Sequence, residues 1–226
     1  PIETIYDELT QEQLDRIYAP LQEQVKERGL WAAHLDPELG GQGFGQVKLG
    51  LMHEILGTSP FAPNAFGNQA PDSGNSEILA MAGTEEQKER WLHPLLAGDL
   101  KSAFSMTEPD SAGSDPTLLR TRAERDGDGD GWVINGHKWF SSNASIADFL
   151  IVMAVTDPTA RPHQRASMFI VPVDTPGVQI VRDVPTMEHP EASYGKLGNH
   201  AEIRYEDVRV GPEALLGEVG AGFLIA

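Results

Sequence analysis

Two segments of the sequence concentrate hydroxyl and aromatic side chains: FSMTEPDSAGSD at 104–115 and NGHKWFSSN at 135–143. The hydroxyls of Thr107 and Ser142 can donate hydrogen bonds to a heteroaromatic ring if the strands that carry them pair. The same segments hold three aromatic side chains that can supply a flat apolar surface for stacking: Phe104, Trp139 and Phe140. These residue types therefore indicate a site for a planar ligand that accepts hydrogen bonds.

A loop of small residues, Ser111 to Ser114, follows in the first segment. Its backbone N–H groups and hydroxyls suit the approach of a phosphate group. A simpler interpretation stays open, in which Thr107 and Ser114 bond to their own backbone in a capped turn and the aromatic side chains form ordinary core. Composition alone favours this second interpretation.

The elements that must position these residues change character near residue 104, from helical to strand-like periodicity. Apolar residues at spacings of three and four predict helices over 10–28, 46–57 and 84–97. Thr10 is the expected N-cap of the first helix, and Pro20 predicts a kink or break within it. Thr84 and Gln87 form a capping-box pattern that should begin the third helix, and Gly98 should end it.

After residue 118, short runs of Val, Ile and aromatic residues alternate with Gly, Asp, Asn and Pro. This pattern predicts strands over 118–125, 132–134, 137–142, 149–156, 167–173, 178–183 and 201–210. Asn135-Gly136 between two of them predicts a two-residue hairpin turn. The expected fold class is α+β, with an all-α helical domain followed by an antiparallel β-sandwich or barrel-like domain.

Composition excludes several functions. The 226 residues include 34 acidic and 17 basic ones, and the net charge of −17 disfavours nucleic acid as a partner. The absence of cysteine removes disulfides, thiolate metal sites and a cysteine nucleophile. The longest apolar run, Phe149 to Val155, is too short to span a membrane, which takes about 18 residues.

Other motifs carry less weight. Asp126 to Gly131 looks like the start of a calcium loop, but its twelfth position is His137, so we expect an acidic hairpin turn. The glycine-rich run from Gly40 to Gly45 follows no strand and is interpreted as a turn between helices. The sequence offers neither a helical His-x-x-x-His pair nor a Gly-x-Ser-x-Gly elbow, so we expect no metal site and no hydrolase.

The two chemical segments closely resemble the signatures of the acyl-CoA dehydrogenase family. FSMTEPDSAGSD is similar to the family's flavin-binding motif, and NGHKWFSSN is similar to its second motif. The resemblance extends over nearly the whole chain, through GLWAAHLDPELGGQGFG, APDSGNSEILAMAGTEEQKERW, FIVPVDTPGVQIVRDVPTM and EIRYEDVRVGPEALLGEVGAGF. The first motif differs by one extra residue between Pro109 and Gly113, and the second has Phe140 where Trp is usual.

The resemblance implies a helical domain at 1–103, a β domain at 104–215 and the start of a C-terminal helical domain at 216–226. We expect the rest of that third domain to lie outside these 226 residues. In the family, FAD lies between the β domain and the C-terminal helices, which also supply the glutamate base, so no catalytic residue is expected in this chain. Residues implied to bind FAD are Phe104, Met106, Thr107, Gly113, Ser114, Phe140, Ser141 and Ser142. Ser114 is also implied to contact the thioester substrate.

The resemblance further implies an acyl-CoA substrate, electron-transfer flavoprotein or a similar acceptor as partner, and a homodimer or homotetramer. We expect a cytoplasmic protein, or a mitochondrial or peroxisomal one in a eukaryote. Two alternatives stay open: a flavin oxidase or monooxygenase of the same fold, and a non-catalytic module that binds acyl-CoA or protein. Glu108 as the catalytic base is disfavoured, because Glu-Pro in this motif indicates a structural turn. The basic loop Arg161 to Arg165 is interpreted as a solvated hairpin tip.

Overall fold

The computed structural model describes residues 10–39, 41–127, 129–187, 190–191 and 198–226. Gly40 of the glycine-rich run and Asp128 of the acidic run therefore lie outside the described residues. The chain folds as two compact units that divide between Glu77 and Ile78. The division predicted at residue 104 stays a prediction.

The helical unit begins with α1 (Gln11–Glu27), which confirms the predicted first helix. Thr10 caps it as expected: its hydroxyl accepts from the Gln13 amide at 3.3 Å, and its own amide donates to the Gln13 side chain at 2.8 Å. The helix continues through Pro20, so a break there is wrong, and the alternative prediction of a kink stays a prediction. A proline within a helix removes one backbone donor, and the surrounding turns of α1 tolerate that loss.

Three further helices follow: α2 (Gly45–Leu56), α3 (Ala62–Ala65) and α4 (Asp72–Ala82). The first of these confirms the predicted helix over 46–57. The spacing of apolar residues in the sequence did not predict α3 or α4, although α4 contains the fully buried Leu79. No helix in the described part of the chain is long and apolar enough to cross a membrane.

The sheet unit begins within α4, at Ile78, and continues with the third predicted helix. That helix is present as α5 (Glu85–Gln87), a π-helical turn (Lys88–Leu92) and α6 (His93–Ala97). Thr84 caps it through a capping box with Gln87, and Gly98 ends it in the left-handed region with φ of 86°. The side-chain amide of Gln87 also donates to the backbone carbonyls of Glu213 and Leu215, at 2.8 and 2.9 Å. These contacts fix the helix against the end of the sheet.

One sheet of eight strands forms the body of this unit. The strands are β1 (Ser102–Ser105), β2 (Arg122–Arg125), β3 (Trp132–Ser142), β4 (Phe149–Val155), β5 (Ala166–Pro172), β6 (Val178–Asp183), β7 (His200–Val210) and β8 (Leu215–Leu216). Their order is β6-β7-β3-β2-β4-β5-β8, with β1 beside β4. β1 and β2 pair parallel with β4, and all other pairs are antiparallel, so the α+β expectation is confirmed.

The predicted hairpin at Asn135-Gly136 is wrong, because β3 runs unbroken through both residues. Asn135 instead bonds across the sheet to Asp207, donating at 3.2 Å and accepting from its amide at 2.8 Å. Gly136 is required for a different reason: a Cβ there would lie 2.3 Å from the Thr121 hydroxyl. Contacts with distant residues thus override the local turn preference.

The chain turns from β2 to β3 at the acidic run, as expected. The Asp126 amide donates to the Gly131 carbonyl at 3.1 Å, and the Gly129 amide donates to Asp126 at 2.8 Å. Every residue of β4 is buried. Its Leu150 and Val152 belong to one apolar core with Trp132, Phe169 and Tyr205.

Candidate functional site

The two sequence motifs lie side by side within the sheet unit. The Trp139 amide donates to the Thr107 carbonyl at 3.0 Å. The Ser141 hydroxyl donates to the Ser105 hydroxyl at 3.2 Å. The segment after β1 therefore runs antiparallel to the end of β3. Thr107 lies opposite Trp139, three residues before Ser142.

A β-bulge shapes the end of β3. Lys138 pairs with Ile203 of β7, and Ser141 pairs with Ala201. Two residues of β3 therefore lie between these pairs, opposite a single residue of β7. Phe140 occupies the bulge with φ of 51°, a left-handed conformation that is uncommon for a residue with a side chain. Such strain persists only where the surrounding structure enforces it, and it frequently marks a ligand site.

The bulge leaves an aromatic surface partly open to solvent. Phe140 is 41% exposed, and its ring packs edge-on against Trp139 with centroids 4.9 Å apart. The Phe140 ring also lies near the His200 ring, with centroids 6.2 Å apart. The hydroxyl of Ser142 lies 2.8 Å from His200 Nδ1. The structure thus places the predicted aromatic and hydroxyl groups at the same end of β3.

The Ser141 side chain is bonded within the protein. The bulge turns it into the core, where it is fully buried. Its hydroxyl donates to Ser105, which also accepts from the Tyr205 hydroxyl at 2.8 Å. Burial raises the pKa of Tyr205, so its hydroxyl stays protonated. The Ser141 side chain therefore belongs to the buried network, and a contact of Ser141 with FAD stays a prediction.

A buried ion pair lies beneath the site. Lys138 is fully buried, and its ammonium donates to Glu108 at 2.9 Å and to the Met106 carbonyl at 2.7 Å. The Glu108 carboxylate also accepts from the backbone amides of Arg120 and Thr121, at 2.7 and 2.8 Å. One carboxylate therefore joins the first motif, β3 and the segment leading into β2.

The environment of this pair argues against proton abstraction by Glu108. Burial raises the pKa of Glu108, but the Lys138 charge and the Thr121 donors outweigh burial, so the pKa lies below its ordinary value. Burial lowers the pKa of Lys138 to about 8, against the opposing attraction of Glu108. At neutral pH both groups are charged, and Glu108 is a structural anion, as the Glu-Pro pattern indicated.

The small-residue loop extends from the same carboxylate. The Ser111 hydroxyl lies 3.1 Å from Glu108 Oε2. A Cβ added to Gly113 would lie 3.6 Å from the Thr107 methyl group, so this glycine is close to the predicted ring site. Gly113 and Ser114 are exposed, and within the described residues their amides make no hydrogen bond. This loop therefore offers two exposed backbone donors, and its Gly113 lies close to Thr107.

Sequence reasoning missed the ion pair, although β3 contains a signal for it. Trp132 and Ile134 are buried at alternate positions, and the same alternation continues to Lys138. A lysine at an inward position requires an acidic partner, and the neighbouring motif offers three acidic residues, of which the structure pairs Glu108 with Lys138.

Comparisons with known proteins agree with this geometry. The acyl-CoA dehydrogenase N-terminal domain model matches residues 2–99, and the acyl-CoA dehydrogenase middle domain model matches residues 103–208. The chain belongs to the acyl-CoA dehydrogenase family. A probable acyl-CoA dehydrogenase, FadE2 of Mycobacterium tuberculosis, is 45% identical over 213 residues, which cover 93% of this chain and 50% of the relative.

Solved structures of the family share the fold. A putative acyl-CoA dehydrogenase from Mycobacterium abscessus superposes with a TM-score of 0.86 at 41% identity, covering 96% of this chain and 51% of that one. The prolyl acyl carrier protein oxidase AnaB superposes with a TM-score of 0.65 at 29% identity, covering 89% and 51%. The chain therefore spans about half the length of these family members.

Proposed function

We propose that this chain forms the flavin-facing part of an FAD-dependent acyl-CoA dehydrogenase, which oxidises the α,β-bond of an acyl-CoA thioester. The observation that supports this most directly is the 3.0 Å hydrogen bond from the Trp139 amide to Thr107, which holds the two motifs together. When bound, FAD supplies the acceptor for the hydride that leaves the acyl β-carbon.

The residues present fit a flavin ring. Phe140 offers a partly exposed aromatic face, and Thr107 and Ser142 carry hydroxyls on half-buried side chains. Fixed hydroxyl donors stabilise negative charge on the ring without reorganising, and loss of one should cost about 3 kcal/mol, by analogy with an oxyanion-hole donor. Phe104 and Met106 are proposed to contact the same ring.

The proposed phosphate contacts lie in the adjoining loop. The exposed amides of Gly113 and Ser114 are assigned to the FAD pyrophosphate, and Ser114 is also assigned to the thioester. The resemblance to the family implies that the catalytic base comes from a C-terminal helical domain. Glu108 is not proposed as the base, because Lys138 and two backbone amides hold it. We therefore expect the chain alone to be inactive.

A visible spectrum and an activity assay test this proposal. A longer protein that contains this chain and a C-terminal helical domain, purified with ample riboflavin, should be yellow. It should oxidise acyl-CoA thioesters with an artificial electron acceptor. A colourless, inactive protein would contradict the proposal, and thioester binding by a colourless protein would favour a non-catalytic module.

An oxidase is the second candidate, favoured by the similarity to the prolyl acyl carrier protein oxidase AnaB. Turnover under air without an added acceptor would identify this activity. Turnover only with the acceptor would favour the dehydrogenase, with electron-transfer flavoprotein or a similar protein as its partner. A homodimer or homotetramer is proposed for the longer protein, and sedimentation would determine its size.

A further inference from the structure

The hydroxyl of Ser142 has one polar partner in the part of the chain that the structure describes, the imidazole of His200. Ser142 Oγ lies 2.8 Å from His200 Nδ1, and within the described residues neither side chain forms another hydrogen bond. Both side chains are half-buried, and the His200 ring lies beside the partly exposed ring of Phe140. The orientation of this hydroxyl therefore depends on the imidazole.

The backbone holds these two residues opposite each other. Ser142, the last residue of β3, pairs with His200, the first residue of β7. Just beyond this pair, the Asn143 amide donates to the Asn199 carbonyl at 2.8 Å. On the other side of β7, the Val184 amide donates to the His200 carbonyl at 2.7 Å. The backbone of His200 is therefore fixed from two sides, which keeps its ring beside Ser142.

The first acidic residue along β7 is already engaged elsewhere. One carboxylate oxygen of Glu202 lies 2.8 Å from His137 Nε2, and the other accepts from Arg182 Nε at 2.7 Å. Phe140, the aromatic neighbour of His200, offers no polar atom. Among the described residues, Ser142 is therefore the hydrogen-bond partner of His200 Nδ1.

A serine hydroxyl has one proton to donate, and it can also accept hydrogen bonds. If His200 Nδ1 carries a proton, it donates to Ser142 Oγ, and the serine proton is left for a ligand. If Nδ1 is unprotonated, the serine donates its proton to the imidazole and none is left. We propose that His200 is a positioning residue, whose Nδ1–H donates to Ser142 and directs the serine proton toward a hydrogen-bond acceptor of the bound ligand.

This inference rests on the proposed function, in which Ser142 donates to flavin, and an isosteric pair of variants tests it. Asparagine can place an N–H donor where Nδ1 lies, whereas aspartate offers only acceptor oxygens. In the longer protein, His200→Asn should bind FAD within about twofold of the unchanged protein. His200→Asp should bind FAD about tenfold more weakly, because its carboxylate accepts the serine proton. Fluorescence titration of FAD measures both affinities.

A second background separates orientation of the hydroxyl from the negative charge that aspartate adds. In Ser142→Ala the hydroxyl is absent, so adding His200→Asp should weaken FAD binding by no more than about twofold. The reduction potential of the bound flavin should fall in His200→Asp but not in His200→Asn, because a fixed donor stabilises negative charge on the ring. His200→Leu offers neither donor nor acceptor, so its affinity should lie between those of the other two variants.

His137→Asn is the matched control. His137 is another half-buried histidine of this sheet, but its ring lies against Glu202, so FAD affinity should stay unchanged. Equal weakening by His200→Asn and His200→Asp would overturn the inference, and so would a full aspartate effect in the Ser142→Ala background. Both results leave the flavin proposal intact, whereas an unchanged longer protein that binds no FAD would contradict both proposals. Thermal melting shows which variants remain folded, and His200→Leu replaces His200→Asp in the comparison if the aspartate variant does not fold.

Discussion

The inner and outer faces of the junction between the first motif and β3 differ in the burial of their side chains. The inner face is buried and internally bonded, and consists of Ser105, Glu108, Lys138, Ser141 and Tyr205. The outer face presents partly exposed groups, namely Thr107, Phe140 and Ser142. The same strand supplies both faces.

The difference separates scaffold from site. Each of these five inner side chains is held by a polar partner, which offsets the cost of burying it. The exposed face carries no such requirement, so its side chains are available to a ligand. The inner bonds fix the backbone, and the backbone fixes where the outer groups lie. We therefore expect inner substitutions to change stability and outer ones to change flavin affinity.

The largest expected effect comes from breaking the buried ion pair. Glu108→Gln leaves the Lys138 charge buried without its counter-ion, which should lower the free energy of unfolding by about 3–5 kcal/mol. Urea denaturation followed by circular dichroism measures this loss. Because the sheet unit depends on the pair, a loss below 1 kcal/mol would contradict its structural role.

Glu85→Gln is the matched control. Glu85 pairs with Lys88 at 3.0 Å, close to the 2.9 Å of the buried pair, but its side chain is 84% exposed. Exposed ion pairs contribute at most about 1 kcal/mol, so the control should change unfolding little. A double variant, Glu108→Gln with Lys138→Met, should recover part of the loss, because an apolar side chain replaces the unpaired charge.

Lowering the pH should reduce the free energy of unfolding through protonation of Glu108. The folded pKa of Glu108 lies below its ordinary value of 4.5, so the unfolded chain binds more protons as pH falls. Its contribution is fully present above pH 4.5 and is lost as pH falls through the folded pKa, with a slope of at most about 1.4 kcal/mol per pH unit. Urea midpoints between neutral and acid pH measure this slope, and Glu108→Gln should flatten it.

Local signals predicted the helix ends well. The capping boxes at Thr10 and Thr84 and the stop at Gly98 depend on residues a few positions apart, and all three are present. Asn135-Gly136 carried an equally strong local signal, yet its residues bond to distant Asp207 and pack against Thr121. Propensity fails where such tertiary contacts decide the backbone.

The site shows the same limit. The motifs indicated that Thr107 and the end of β3 belong together, and the Trp139 amide joins them. Ser141 could not be placed inside from the sequence, because strict alternation from Lys138 would place it outside. The bulge at Phe140 reverses that alternation, and its left-handed φ is set by pairing with β7, which is distant in sequence.

The adjacent serines give a sharper test of the comparison. Ser141→Ala removes a buried hydrogen bond and should lower the free energy of unfolding by about 1 kcal/mol, without changing flavin affinity. Ser142→Ala should do the reverse, since its hydroxyl lies on the outer face beside His200. Urea denaturation and fluorescence titration of flavin into the longer protein measure the two quantities. Equal effects of both variants on flavin would contradict the separation of the faces.

The smallest expected effect on stability is at Phe140, where the two faces meet. A left-handed φ disfavours a residue with a Cβ by about 1–2 kcal/mol, and glycine relieves that strain but costs about 0.5–1 kcal/mol in backbone entropy. Phe140→Gly should therefore leave unfolding nearly unchanged, because the remaining gain offsets the lost packing against Trp139. Phe140→Val keeps the strain and loses the ring, so it should be less stable than the glycine variant. Both variants should weaken flavin binding, and only the valine variant should lower the free energy of unfolding. That result would show that the left-handed backbone at Phe140 serves to present the aromatic ring and does not stabilise the fold.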